Sequence, residues 1–423
     1  MKNQFFLLLT LFFLFSCSSE DKTIWEPSPE KDVTEMERFS EFISQLNKLT
    51  SGDAQKYLDS NFDELQDKFK FPCVEGESVS FIYKGDVQNV DYSGDFNYWG
   101  NESQNLNFNR VNGTDLFYLK QTYELDARLE YEFILDGKKA ILDPLNPNFG
   151  LTGWGKHSEL KMPDYPDQPE VKYYENIPHG KVLLDLSHQG KVGINGQEQV
   201  VSRIYHVYLP PNYNSDISYP VIYFQDGKDY VKNMKINNVL DYMIFHQESE
   251  PVIAVFMDFY QVSDQIFYRN EDYVKSEKSI YLDYLVNDFV PFIDANYSTK
   301  PDAQDRTIVG LSNSGAFAVY AAQKHPEIFQ NVISQSGALN VLYRSQNLGE
   351  DLGNRIAEVS FPVNIFLHVG SYEPWLQVNN DFYKALESNK SVLRHHYEIT
   401  HQGHALFHWR DMFREALIWL NAD

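Results

Sequence analysis

The chain has 423 residues, a formal net charge of -24 and an aromatic content of 15%. The length fits two or three domains, and the composition carries no signature of disorder across most of it. So acidic a chain is not a nucleic-acid binder, because a phosphate backbone is held by Lys and Arg.

The N-terminus begins with Lys2 and an almost wholly apolar run from Phe5 to Phe15. The run is too short to span a bilayer and fits a secretory leader. It ends at Leu14-Phe15-Ser16-Cys17, which resembles a bacterial lipoprotein signal. That resemblance implies a leader over 1–16, lipidation at Cys17, and a protein tied to a membrane of the cell envelope through a lipid anchor. A linker over 17–32 follows, with Pro27 and Pro29. Two cysteines give no disulfide framework, so Cys73 reads as structural.

Residues 33–70 read as helical. Met36, Phe39, Phe42, Ile43 and Leu46 recur at helix spacing, then Tyr57, Leu58, Phe62 and Leu65. From Val79 the period changes to two. Short strands alternate with Gly85-Asp86 and Asp136-Gly137 turns. The pattern predicts a small β-sandwich over 71–150. Gly94-Asp95-Phe96…Trp99, Glu130-Tyr131-Glu132-Phe133 and Asp143-Pro144…Asn146-Pro147 resemble the immunoglobulin-like early-set modules related to family 48 carbohydrate-binding domains. Tyr98 and Trp99 are then either a sugar-stacking pair or core packing. Residues 151–175 form a connection, and 176–423 a catalytic domain.

In that last part, apolar runs such as Val221–Gln225, Val252–Met257, Thr307–Leu311, Val332–Ser336 and Asn364–Val369 alternate with helical patterns. This predicts a mostly parallel sheet covered on both faces, with ligands at the carboxyl ends of its strands. The fold class expected is α/β: an α/β-hydrolase domain preceded by a small immunoglobulin-like β-sandwich.

At one such strand end lies Val309-Gly310-Leu311-Ser312-Asn313-Ser314-Gly315. A strand running into Gly-x-Ser and then a helix is the layout of a nucleophile elbow, which makes Ser312 the candidate nucleophile. The common pattern has Gly where Ser314 stands. In the hydrolase order Ser–acid–His, His404 follows the last strand as candidate base. Glu373 follows the penultimate strand as candidate acid, with Asp381 as the fallback. The amides of Asn313 and Lys228 are the candidate oxyanion donors, and Asp226, a candidate substrate-binding residue, either braces the second of these loops or merely ends a strand. His401, His404 and His408 also admit a metal reading. The triad order accounts for His404 without one, so the mechanism calls for no metal and no cofactor. His395 and His396 read as packing or surface groups and His368 as a core residue.

Arg203…Val207-Tyr208-Leu209-Pro210-Pro211, Tyr219-Pro220-Val221-Ile222-Tyr223, Asp226-Gly227 and Arg269-Asn270-Glu271-Asp272-Tyr273 lie in order ahead of the elbow. His325-Pro326-Glu327, Ser334-Gln335-Ser336-Gly337 and Gly403-His404…Trp409-Arg410 follow it. Together they resemble the esterase D-type family, and especially its enterochelin-esterase-like branch. The resemblance implies serine-dependent ester hydrolysis, with Ser312, Glu373 and His404 as the triad. It also implies that Arg269 is a substrate-binding cleft arginine for anionic, siderophore-type esters. Feruloyl or acetyl esters of polysaccharide are the other small-molecule or polymer substrates it admits. Acyl transfer to an alcohol, or a non-catalytic scaffold that keeps the fold, are the rival classes.

Overall fold

The computed structural model describes residues 34–100, 106–152, 155–261, 267–339 and 359–422. The leader and Cys17 fall outside these residues.

Two helices, α1 (Glu35–Leu46) and α2 (Ser51–Lys68), come first. A capping box starts α1: Glu37 N–H donates to Thr34 Oγ1 and Thr34 N–H to Glu37 Oε2, both at 3.2 Å. Their apolar stripes bury Phe39, Phe42, Leu46 and Leu58 against Phe71, Cys73, Ile82 and Leu116. Burial pushes the Cys73 thiol up to about 11.

Among the described residues ten short strands follow: β1 (Cys73–Glu75), β2 (Ser78–Lys84), β3 (Val90–Gly94), β4 (Leu106–Asn107), β5 (Asn109–Arg110), β6 (Leu116–Thr122), β7 (Arg128–Leu135), β8 (Lys139–Ile141), β9 (Phe149–Thr152) and β10 (Gly155–Lys161). They form two layers around an aromatic core of Phe81, Tyr92, Phe117, Tyr131 and Phe133. One layer is the sheet β1-β2-β6-β5, whose other face is covered by the helices.

The catalytic part supplies β11 (Lys181–Ile194), β12 (Gln197–Leu209), β13 (Val221–Gln225), α3 (Ile236–Phe245), β14 (Ile253–Gln261), α4 (Arg269–Tyr273), α5 (Lys278–Tyr284), α6 (Val290–Asn296), β15 (Arg306–Leu311), α7 (Asn313–Lys324), β16 (Asn331–Gln335), β17 (Asn364–Tyr372), α8 (Leu376–Ser388), β18 (Arg394–Gly403) and α9 (Leu406–Asn421). Strand order is β11-β12-β14-β13-β15-β16-β17-β18. β12 is antiparallel to both neighbours and the later pairs are parallel. β13 and β15 are buried throughout, as strands covered on both faces must be. One face packs on α5, α6, α7 and α8 through Tyr281, Ile293, Phe317 and Phe382. The other packs on α3 and α9 through Leu240, Met243, Trp409 and Phe413. Inside this part Arg203 and Asp272, both 1% exposed, form a bidentate pair at 2.7 and 2.8 Å.

The expected separate immunoglobulin-like β-sandwich requires correction. The N-terminal region opens as helix, and its second β layer is not independent. It continues the hydrolase sheet: β18 pairs with β7 through Gln402 and Arg128, and β10 and β9 extend the same sheet. Period-two patterning with Gly and Asp turns is common to any half-buried strand pair, so it cannot say which sheet a strand joins. β11 and β12 are long strands of 14 and 13 residues. They run on into a hairpin closed by Asn195 (φ 52°) and Gly196 (φ 74°), the two-residue Asn-Gly turn that favours this geometry.

Side chains reinforce the β7–β18 junction. Arg128, 13% exposed, reaches Asp411 on α9 at 2.8 Å and Glu159 on β10 at 2.9 Å. It also lies 4.1 Å over the Phe407 ring. Tyr165 donates to the same Asp411 at 2.7 Å and accepts from Gln402 Nε2 at 2.5 Å. Removing one partner of a buried pair leaves the other charge uncompensated. Arg128→Met is therefore expected to lower unfolding free energy by about 3 kcal/mol, measured by urea denaturation.

Candidate active site

Ser312 stands between β15 and α7 with φ 54° and ψ −118°. This is the strained backbone of a sharp strand-to-helix turn. A Cβ on Gly310 would lie 2.1 Å from Ser314 O, so the turn closes only around glycine. The Ser312 amide donates to Gln335 O at 2.8 Å, and its carbonyl accepts from Ala338 N–H at 2.9 Å. The elbow is thereby fixed from the adjacent β16 end, with Ser312 half-exposed at the sheet's carboxyl edge.

Ser314 explains the departure from the common motif. Its hydroxyl is fully buried, accepts from Leu311 N–H at 2.9 Å and donates to Asp226 Oδ2 at 2.7 Å. Asp226 is buried at φ 60° in the loop after β13. Arg269 grips it with two bonds, Nε to Oδ1 at 2.8 Å and Nη2 to Oδ2 at 2.6 Å. Burial works against the Arg269 charge, but the carboxylate outweighs it and holds the guanidinium pKa above its ordinary value. The elbow and the Lys228 loop are thus tied together by one ion pair and one hydroxyl. The Arg269 guanidinium is committed to that pair, with 27% of the side chain left exposed.

His404 follows β18 directly. Its Nδ1 lies 2.7 Å from Glu373 Oε2. Trp409 packs edge-on against the imidazole, ring centroids 4.8 Å apart at 87°. Trp409 Nε1–H donates to Ser336 Oγ at 2.8 Å, and Ser336 donates to Glu373 Oε1 at 2.7 Å. Gly370 N–H donates to Oε1 as well, at 2.9 Å. Burial is the largest influence on Glu373 and raises its pKa. His404 and His408 outweigh that and take it down to about 2. A carboxylate so placed fixes an imidazole tautomer and stabilises its imidazolium.

The Asn313 amide opens α7, where the first N–H groups have no acceptor within the helix. Lys228 begins the turn after Asp226-Gly227, beside the buried Asp258, whose carboxyl burial pushes up to about 7. Both amides lie in the two loops that the Ser314–Asp226–Arg269 bonds join.

Other residues singled out by the sequence go elsewhere. Asp381 accepts from Gln377 on the exposed side of α8 at 3.0 Å, and it is Glu373 that pairs with His404 Nδ1. His401 pairs with Asp126 at 2.7 Å. His408 is buried beneath Glu373, so the three histidines do not converge on one point. His396 stacks on Phe366 and His395 packs against Tyr383. Trp99 donates from Nε1 to Asp95 at 3.1 Å and lies on His157.

Sequence reasoning missed the buried partners. Asp95, Gln335 and Ser336 fall in stretches that carry a resemblance but no role there, and His368 reads only as a core residue. Asp95 comes from the N-terminal region. Its carboxylate fills the space over Gly403, where a Cβ would meet it at 1.9 Å. The residue before His404 is therefore glycine because a second part of the chain packs there.

A profile described as "Putative esterase" matches residues 202–418, just over half of the chain. The chain belongs to this esterase family. The protein YjcH of Bacillus subtilis (strain 168) is 30% identical over 131 residues, 31% of this chain and 53% of its own length. The chain thus spans about half of that relative. The iron(III) enterobactin esterase of Escherichia coli (strain K12) is 26% identical over 314 residues, 72% of each chain. The crystal structure of the enterobactin esterase from Shigella flexneri with 2,3-di-hydroxy-N-benzoyl-serine superposes with a TM-score of 0.62 at 22% identity, covering 81% of this chain and 92% of that one. The shared fold is the one described above, over the 81% of this chain that superposes. The family profile supports the esterase part of the sequence reading, while the leader and Cys17 lie outside the described residues.

Two outcomes test the geometry. Ser314→Ala removes a hydrogen bond to a buried charge and should cost about 2 kcal/mol of stability, read by denaturant titration. Glu373 has a folded pKa depressed to about 2 from an ordinary 4.5. Its contribution to stability is therefore full above the unfolded value and is lost as pH falls from there through the folded value. The stability difference between wild type and Glu373→Gln, measured against pH, should shrink across that acid window.

Proposed function

We propose that the chain is a serine carboxylic-ester hydrolase working through an acyl-enzyme. The observation that carries this reading is the 2.7 Å bond from His404 Nδ1 to Glu373 at the same carboxyl edge of the sheet as a serine held in an elbow. Family membership supplies the reaction class. His404 Nδ1–H donates to Glu373, so the lone pair of Nε2 is the ring's open base. Ser312 Oγ attacks the ester carbonyl carbon and its proton passes to Nε2. The carbonyl oxygen becomes an oxyanion, received by the amides of Asn313 and Lys228. As the C–O bond breaks, the proton moves from Nε2 to the leaving alcohol. Water then repeats the sequence, and the acid leaves with Ser312 restored.

The substrate we favour is an ester of a catecholate-type acyl-serine. The relative named iron(III) enterobactin esterase aligns over 72% of each chain, more than the catalytic part alone can supply. The N-terminal region belongs to the comparison, and it reaches the site through Asp95. Arg269 has a structural duty to Asp226, which leaves only its exposed edge to attract an anionic substrate.

A fluorophosphonate probe should label wild type and leave Ser312→Ala unlabelled. Labelling of that variant, or none of the wild type, would sink the mechanism. Hydrolysis rates compared across catecholate-lactone, feruloyl and acetyl esters decide the substrate. The lactone is expected to give the highest kcat/KM, and a preference for feruloyl esters by tenfold or more, about 1.4 kcal/mol, would reject it.

A further inference from the structure

A second histidine lies behind the acid. His408, on the first turn of α9, is fully buried, with Nδ1 3.1 Å from Gly403 O and 3.3 Å from Glu373 Oε1. Its Nε2 lies 3.3 Å from His368 Nδ1 and 2.9 Å from Thr400 Oγ1. His368 is also fully buried, with Nε2 2.9 Å from Gln335 Nε2. Neither ring touches the site opening, and a plain core would have used Phe or Leu here at less cost in polar desolvation.

The proton order along this chain follows from its far end. Gln335 Oε1 accepts from Tyr230 OH at 2.6 Å, and Nε2 donates to Trp409 O at 2.7 Å, a carbonyl that can only accept. Those two bonds fix which end of the amide is nitrogen. Gln335 Nε2 then donates to His368 Nε2, so the His368 proton is on Nδ1. That proton faces His408 Nε2, so the His408 proton is on Nδ1, directed at Gly403 O and Glu373 Oε1. Every buried group on the path has a donor matched to an acceptor, which is the condition for a polar network in a core.

We propose that His408, oriented by His368 and Gln335, is a positioning residue for the hydrolytic reaction. It secures Glu373 by Oε1 and so aims Oε2 at His404 Nδ1. Glu373 Oε1 is also held by Ser336 and Gly370 N–H, and Oε2, among the described residues, by His404 alone. The remaining titratable groups about the carboxylate are Asp95 from the N-terminal region and Tyr397 of β18, whose interactions with it are repulsive in the ionised state. His408 also ties the carboxylate to the carbonyl of Gly403, the residue just before His404. Acid and base are therefore set by one imidazole.

The inference rests on Ser312, His404 and Glu373 acting together as proposed above. Its test is hydrolysis of p-nitrophenyl acetate from acid to alkaline pH by wild type, His408→Phe and His408→Asn. The Phe variant should lose kcat about tenfold, the rate equivalent of one hydrogen bond, at unchanged KM. Its acidic limb of kcat/KM should move to higher pH, because Glu373 then concentrates its charge on the imidazolium of His404. Asn places an amide N–H about where Nδ1–H stood and should restore both quantities. An unshifted limb in the Phe variant, or an Asn variant no better than Phe, overturns the proposal. Should the Phe variant not fold, His408→Gln replaces it: its amide reaches the Nε2 position, and activity equal to that of Asn counts against the proposal. Wild type inactive on any ester would instead refute the proposed function. In that case 15N shifts of labelled histidine read the arrangement without turnover. The Nδ1–H tautomer at His408, assigned by its loss in His408→Asn, is expected, and the Nε2–H tautomer overturns the proposal.

Discussion

A buried carboxylate governs the architecture of this site. Glu373 is 1% exposed, so water contributes almost nothing to holding its charge. An ionised carboxylate in such a place persists only if donors surround it. The fold brings them from four directions: Gly370 from the end of β17, Ser336 from the loop after β16, His404 from the end of β18, and His408 from α9. The parallel sheet makes this possible. It ends neighbouring strands at one level, so loops distant in sequence become neighbours at the carboxyl edge.

The elbow obeys the same logic with a different ion pair. Asp226, fully buried, is matched by Arg269 and by the hydroxyl of Ser314. The hydroxyl at 314 is not a defect in the motif. It fastens the turn to the loop that carries Lys228, so the two amides proposed for the oxyanion share one support. Preorganised donors need no rearrangement when charge develops, which is where their catalytic value lies.

Much of this was legible in the sequence, for definite reasons. Alternating strand and helix patterns expose a parallel sheet, and Gly310-Leu311-Ser312 marks its functional edge because only glycine admits so tight a turn. Chain order led to Glu373 and His404. The geometry places the two 2.7 Å apart. What escaped were bonds whose meaning depends on a distant partner. Ser314 looks like a loss of glycine until Asp226 is seen beside it. Arg269 looks like a free cation until Asp226 occupies it. His368 looks like core filler and His408 like part of a metal cluster, since sequence spacing does not tell a packed or ligating imidazole from one in a hydrogen-bonded chain. The β layer over 71–150 misled for another reason: strand patterning reports which face is buried, and not whether an edge is shared with another sheet.

That shared edge has a consequence for how the chain can be divided. β18 is the last strand of the hydrolase sheet, and β7 covers it through Gln402 and Arg128, with Asp95 seated on Gly403. Cutting the chain ahead of the catalytic part would uncover the backbone at Gln402 and remove Asp95 from over Gly403, next to His404. Bare strand edges recruit other strands. The N-terminal region therefore closes this end of the sheet beside His404, and a catalytic part cut free of it would present that end to other strands.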